Sequence, residues 1–368
     1  GMGATWLMGY KGDMRFLLVL GLLSMLVSFP VSLGAVFQAR MKIWYTVAIN
    51  LGGKIIVISV VLAMIWLHKG LELLLWGNIV IAALSAVVYW ILVGSQEKPN
   101  YRPDCKLLAD LLRQSAPMGL LVVVGGLVNR SDVLLLSKLS DLHSLGLYSA
   151  AYKYVEWGLL VTYGAVVSHL PVFSQYLKTE PEKVKRLFRI SFDILGLFLI
   201  PVSVFTAFNA REMINLISGP AYVNGNAALS VLIWVVLLNS WNSMPVHVLV
   251  AGRKTGTLIA IYFPVMAVNI AVNYFGIPKY GFMVCAFSSV LSEILAMVPL
   301  LILLYKWYSL KPDWVSSAKH ILISFLAAAP MLLIPSSSIF IRVLTYAAGW
   351  LWLGLVTKAI DFQMFRQL

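Results

Sequence analysis

Long apolar runs separated by short polar breaks occupy nearly the whole chain. A run of 18 or more apolar residues reads as a helix that crosses a bilayer, because about 20 residues at ~1.5 Å rise span the ~30 Å hydrocarbon core. The pattern predicts eleven such spans: Phe16–Phe37, Trp44–Trp66, Leu71–Val93, Ala116–Leu139, Leu147–Leu170, Leu187–Phe208, Ala227–Ala251, Thr257–Ile277, Phe282–Tyr305, Ala318–Ile334 and Ile339–Lys358. The expected fold is an all-α integral membrane protein. A polar connector, Gly94–Ser115, follows the third span. Its end places Leu107, Leu108, Leu111 and Leu112 on one face and Lys106, Asp110 and Arg113 elsewhere, as in an amphipathic helix at a membrane surface. The expected division is 1–93 as three spans of an N-terminal lobe and 94–115 as an amphipathic cytoplasmic linker. Residues 116–305 then form a six-helix C-terminal lobe, and 306–368 two additional spans.

The informative positions are the polar ones inside these spans. Charge at mid-bilayer costs roughly 2.5–3.5 kcal/mol per residue on insertion scales, so such residues face a protein interior or an aqueous path. The stretch Gly125–Glu156 holds most of them: Asn129, Arg130 and Asp132 in the fourth span, Lys153 and Glu156 in the fifth. The turn between them, Lys138–Ser144, is too short to leave the membrane surface, so the two helices are antiparallel neighbours. Arg130 and Lys153 then lie at one depth, roughly 13 Å from the same face at ~1.5 Å per residue. Lys153 and Glu156 also have the i,i+3 spacing of a plain helix ion pair. Lys54 lies near the middle of the second span, with Asn50 one turn before it. Asn239, Asn242, Asn269 and Asn273 mark the seventh and eighth spans. Intramembrane Asn serves helix–helix hydrogen bonds more often than it serves ligands.

Composition supports the class. Hydrophobic residues make up 60% of the chain and charged residues 12%, about half the ~25% charged content of soluble domains. The net charge of +13 is spread over connections rather than gathered on a soluble face, so it argues for membrane orientation and against a nucleic-acid partner. With the C-terminus in the cytoplasm, 18 of the 28 Lys and Arg fall at cytoplasmic connections and 7 at the other side, leaving Lys54, Arg130 and Lys153 inside spans. The two cysteines, Cys105 in a loop and Cys285 in a span, form neither a disulfide framework nor a metal-ligand pattern. No cofactor is expected.

A weak internal repeat is present. Pro30-Val31, the basic pair Arg40 and Lys42, and Asn50 recur as Pro245-Val246, Arg253-Lys254 and Asn269. This register aligns spans one to three with seven to nine and leaves four to six without an earlier counterpart. Three helices are therefore expected before residue 1. Parallel repeats of this kind belong to transporters whose substrate site lies between the halves.

Several segments resemble one family. SAPMGL (Ser115–Leu120), RSDVLLLSKLSD (Arg130–Asp141) and LGLYSAAYK (Leu145–Lys153) are similar to bacterial polysaccharide-biosynthesis membrane proteins. ISGPAYVNG (Ile217–Gly225) and IPKYGFMVCAFSSVLSE (Ile277–Glu293) resemble that family's Gly-Pro-x-Tyr and Ile-Pro-x-Tyr-Gly segments. These proteins are the lipid-linked oligosaccharide (O-antigen) flippases of the multidrug/oligosaccharidyl-lipid/polysaccharide superfamily. The resemblance implies two lobes of six helices and an undecaprenyl-pyrophosphate-linked substrate. It also implies a place in the bacterial inner membrane, with lipids and a coupling ion, H+ or Na+, as partners. The chain departs from the pattern in lacking about three N-terminal helices.

A pyrophosphate crossing hydrocarbon needs cations and donors along a wet groove. Arg offers a bidentate fork and Lys a point charge. The expected substrate-binding set is Arg130, Lys153, Lys54, Asn50, Asn129, Asn239 and Asn242, with Asp132, Glu156 and Glu293 balancing charge or coupling an ion. A multidrug antiporter of the same superfamily would instead use isolated carboxylates such as Asp193 and Glu293. A membrane sugar polymerase or ligase needs catalytic groups on a large outer loop, and the longest one here, Asn209–Asn226, carries only Arg211 and Glu212 as charges. The flippase, not an enzyme, is the favoured expectation.

Overall fold

In lipid each backbone N–H and C=O must find its partner within the spanning segment, which makes an apolar chain of this length helical. The computed structural model describes residues 13–27, 33–39, 43–66, 71–96, 105–167, 169–333 and 338–357, and among them holds fourteen α-helices and no strand. They are α1 Asp13–Val27, α2 Gly34–Ala39, α3 Ile43–Trp66, α4 Leu71–Gln96, α5 Cys105–Leu139, α6 Leu142–Val167, α7 His169–Tyr176, α8 Pro181–Phe208, α9 Ala210–Ile217, α10 Asn226–Ala251, α11 Thr255–Tyr280, α12 Met283–Tyr308, α13 Trp314–Leu333 and α14 Ile339–Val356. A 3-10 turn, Pro220–Gly225, joins α9 to α10. Among the described residues eight helices are long and apolar enough to cross a membrane, or nine if α6 and α7, bent by 44°, form one broken span. The protein is a multi-pass, all-α membrane protein. The expected first, fifth, tenth and eleventh spans run into residues outside the described set.

The chain divides into two compact units, Gly1–Cys105 and Lys106–Leu368. In the first, α4 packs against α1 and α3. Phe37 stacks on Tyr45 at 5.1 Å, and Phe37, Tyr89 and Val93 form a small core. Gly77 brings α4 against α3, since a Cβ there would meet Val60 at 2.8 Å. Ile55, Ile58, Leu62 and Trp66 of α3 are exposed, a surface that water would penalise and hydrocarbon accepts.

In the second unit α10 is the hub, packed against α6, α7, α8 and α12. Trp241 of α10 stacks on Phe192 at 4.7 Å and donates its indole N–H to the Phe192 carbonyl at 3.0 Å. The helices α13 and α14, expected as additional spans, join the same core: Ala327, Ala328, Met331 and Tyr346 are buried with Ile200, Val204 and Trp241. Residues 105–115, expected within a separate linker, instead continue directly into the fourth span as the first turns of the 35-residue α5. Residues 97–104 of that linker lie outside the described set.

Two polar clusters fix relative sidedness. Arg342 at the start of α14 donates to Glu212 (2.9 Å) and Asn209 (3.1 Å), which follow the end of α8. At the other end of α8, Lys185 and Arg189 share a pocket with Ser309 and Lys311 beyond α12. Both groupings agree with strict alternation of the spans. We expect Ser144→Cys, in a protein with Cys105 and Cys285 replaced by Ser, to react with an impermeant thiol reagent on intact cells. Thr179→Cys should react only after permeabilisation. Labelling at position 179 alone would reverse the orientation drawn from the charge count.

Candidate functional site

The α5–α6 hairpin turns at Ser140 and Asp141. The Asp141 carboxylate accepts the backbone N–H of Ser144 at 2.5 Å, capping α6. That bond holds its carboxyl below the usual range. The turn sets α5 and α6 side by side, and Glu156 reaches both cations. Arg130 Nη2 lies 2.5 Å from Glu156 Oε1, and Lys153 Nζ 2.8 Å from Oε2. The Arg130 guanidinium also sits 5.5 Å from the Tyr152 ring centre, within cation–π range. Arg130 and Lys153 are more than half exposed, at 56% and 60%, while Glu156 is 25% exposed. Exposed cations in a span have no good solution in lipid, so this face is one turned to water or protein.

Successive helical residues point about 100° apart, and the three consecutive polar residues of α5 divide accordingly. Arg130 is exposed; Ser131 and Asp132 are buried. Asp132 accepts a hydrogen bond from the Tyr148 hydroxyl of α6, and its other oxygen accepts the Val133 N–H at 2.7 Å. Asp132 was expected beside the cations; the structure turns it into the α5–α6–α12 interior, and Glu156 holds the cations. Ser131 donates to Asn269 Oδ1 at 2.7 Å, Asn273 donates to the same oxygen at 3.1 Å, and Asn269 donates to Ser292 Oγ at 2.9 Å. Ser288 Oγ donates to Asn273 Oδ1 at 2.7 Å. These bonds tie α5, α11 and α12 through fully satisfied polar groups, which is how such groups are tolerated away from water.

Removing the Tyr148 hydroxyl is expected to cost about 1–3 kcal/mol, because Asp132 loses a buried donor. In a cycle with Asp132→Ala, thermal unfolding of purified protein should give a coupling of about 0.5–3 kcal/mol. Additive effects would mean that the bond contributes nothing.

A second carboxylate lies deeper. Glu293 of α12 accepts Asn239 Nδ2 at 2.8 Å on Oε1 and Asn242 Nδ2 at 2.7 Å on Oε2. Asn242 donates also to the Glu293 carbonyl at 2.8 Å. Both asparagines come from α10, so the two residues expected to touch substrate are brought together on Glu293, and Asn242 is buried. Its Oδ1 is a buried acceptor with no hydrogen-bond donor among the described residues. Glu293 and Asn239 line a cavity of about 170 Å³ with Gly125, Ser243 and Tyr262. Asp193, a candidate for isolated acidity, is paired with buried His320 at 3.2 Å.

Lys54 and Asn50 belong to the first unit, where both are exposed on one face of α3. The Asn129 side chain lies outside the described set. Sequence reading missed Ser131, Tyr148, Ser288 and Ser292 as members of the buried network. Their signal was present: Ser288, Ser289, Ser292 and Glu293 recur at helical spacing along one face of an otherwise apolar helix.

Comparison with known proteins adds the following. The model of a family described as polysaccharide biosynthesis protein matches residues 6–227. No curated protein matches the chain. Among solved structures, lipid II flippase MurJ in an inward closed conformation is similar, with a TM-score of 0.78 and 16% identity, over 95% of this chain and 76% of that one. At that identity the likeness concerns the arrangement of helices.

Proposed function

The chain belongs to the polysaccharide biosynthesis protein family, and from that premise we propose that it is a flippase for an undecaprenyl-pyrophosphate-linked oligosaccharide. It carries this lipid from the cytoplasmic to the outer leaflet of the bacterial inner membrane, for polysaccharide or O-antigen export, with its C-terminus in the cytoplasm. The observation that carries the reading is the exposed pair Arg130 and Lys153 sharing one carboxylate, Glu156. One negative charge leaves one positive charge unbalanced. A pyrophosphate brings more charge than Glu156 and fits the Arg fork, so it displaces the carboxylate from both cations. Contacts made in one arrangement of the protein and not in another are what bias alternating access. Asn129, next to Arg130 in the second unit, and Lys54 and Asn50 of the first unit are proposed as further headgroup contacts.

Glu293 is assigned to the coupling ion, H+ or Na+. Its small cavity supports this, since Glu293 of α12 lines it together with Asn239 and Ser243 of α10, polar residues from two helices. Under this reading Asn239 and Asn242 serve Glu293 before they serve the substrate.

The test is complementation of a flippase-deleted strain with the full-length gene. Surface polymer should return and the lipid-linked precursor should stop accumulating on the cytoplasmic leaflet. Restored drug efflux without polymer would assign the protein to the antiporter class.

A further inference from the structure

At the end of the second unit that the charge count assigns to the cytoplasm, the first turns of α8 and the segment following α12 line a pocket of about 440 Å³. Lys185, Arg186 and Arg189 enter from α8 and Lys311 from the segment, with Glu182 as the carboxylate among the lining residues. Positions 182, 185, 186 and 189 share one helix face. Lys311 is positioned by its neighbours, because Leu310 is only 2% exposed and Pro312 is buried. Ser309 takes a positive φ of 54° to end α12 and launch this segment. Lys185 is paired with Glu182 at 2.6 Å. Arg186, Arg189 and Lys311 have no acidic partner among the described residues.

Unneutralised cations converging on one pocket repel each other unless an anion joins them. Membrane orientation explains an excess of Lys and Arg at this end of the spans. It does not explain their convergence from segments about 120 residues apart, a separation that loop-charge counting ignores. The carbonyl end of α12 opposes an anion with a partial charge, a smaller effect than three full cations. Apart from Asp193, charge in α8 ends at Arg189, so the pocket stands at the level of lipid headgroups.

We propose that this pocket is a phosphate site, occupied by the headgroup of an anionic phospholipid. Arg186 and Arg189 supply forked donors to the phosphate oxygens and Lys311 a point charge, in the manner of basic pockets between spanning helices on the cytoplasmic side. The site is separate from the Arg130–Lys153 cations and does not depend on what the protein transports.

The experiment uses the purified full chain in detergent, with native mass spectrometry of bound lipid after exposure to phosphatidylglycerol, a diphosphatidylglycerol or phosphatidylcholine. The anionic lipids should be retained and phosphatidylcholine should not. The pair Arg186→Gln and Arg189→Gln should lower retention at least tenfold. Removing equal charge at Arg253→Gln and Lys254→Gln, on the same face but outside the pocket, should leave retention unchanged. Matching elution and melting profiles would show that the variants fold. Equal retention by both pairs would overturn the site, as would indifference to headgroup charge. Displacement of bound lipid by millimolar inorganic phosphate or pyrophosphate, with unchanged dependence on Arg186 and Arg189, would overturn the lipid assignment and give the pocket to a soluble phosphate compound.

Discussion

Replacing Arg130 by Glu is expected to abolish polymer export while leaving the protein in the membrane. Arg130 contributes charge and a forked donor set to the exposed cluster, and Glu156 neutralises it only in competition with Lys153. At an effective dielectric of ~20, unit charges ~4 Å apart interact by about 4 kcal/mol. Solvent at these more than half-exposed groups reduces that to about 1 kcal/mol. Charge reversal exchanges attraction for repulsion, so about 2 kcal/mol of phosphate binding is lost, roughly thirtyfold in affinity. Lys153→Glu should behave alike. Arg130→Lys should be intermediate, because charge remains while the bidentate geometry is lost. The measurement is surface polymer in the flippase-deleted strain at matched expression. Normal polymer with both Arg130→Glu and Lys153→Glu would remove these residues from the substrate path.

Gly225→Ala is expected to destabilise the second unit. Gly225 ends the 3-10 turn before α10, and an added Cβ would lie 2.7 Å from the Leu147 carbonyl oxygen and 3.3 Å from its carbonyl carbon. These are backbone atoms of α6 and cannot rotate away. Either α6 or α10 must move, and both belong to the core holding Tyr148, Val155, Leu229 and Leu232. Overpacking of this kind costs typically about 1–3 kcal/mol, and more where backbone must yield. The backbone conformation itself, φ −78° and ψ −1°, suits any residue, so the effect isolates the contact. Thermal midpoints in detergent should fall by several degrees against Asn224→Ala, an exposed neighbour. Because such scans are often irreversible, the comparison is made at one scan rate. An unchanged midpoint would mean that the two helices separate here without cost.

The expectation that Arg130 and Lys153 share a depth was legible because a tight turn between antiparallel helices converts sequence distance into depth. The Lys153–Glu156 pair was legible from its i,i+3 spacing; that Glu156 also reaches Arg130 while Asp132 turns away was not, since Arg130 and Asp132 are two residues apart and point to opposite sides of α5. The asparagines were legible as polar exceptions. Their partner was not: Glu293 lies 54 residues from Asn239 in the chain, and no periodicity within one helix reports which face of another it meets.

Sequence alone determined that this is an all-α, multi-pass membrane protein and which residues are out of place in it. The reason is that hydrocarbon penalises each unpaired backbone group and each charge regardless of what surrounds the helix. The tertiary structure decided how those residues are used: Arg130 and Lys153 exposed on Glu156, Asp132 buried on Tyr148, Asn239 and Asn242 closed on Glu293. Helix rotation and packing make that choice, because a turn of 100° carries a side chain from an exposed face to the core without changing the hydropathy of the segment that holds it.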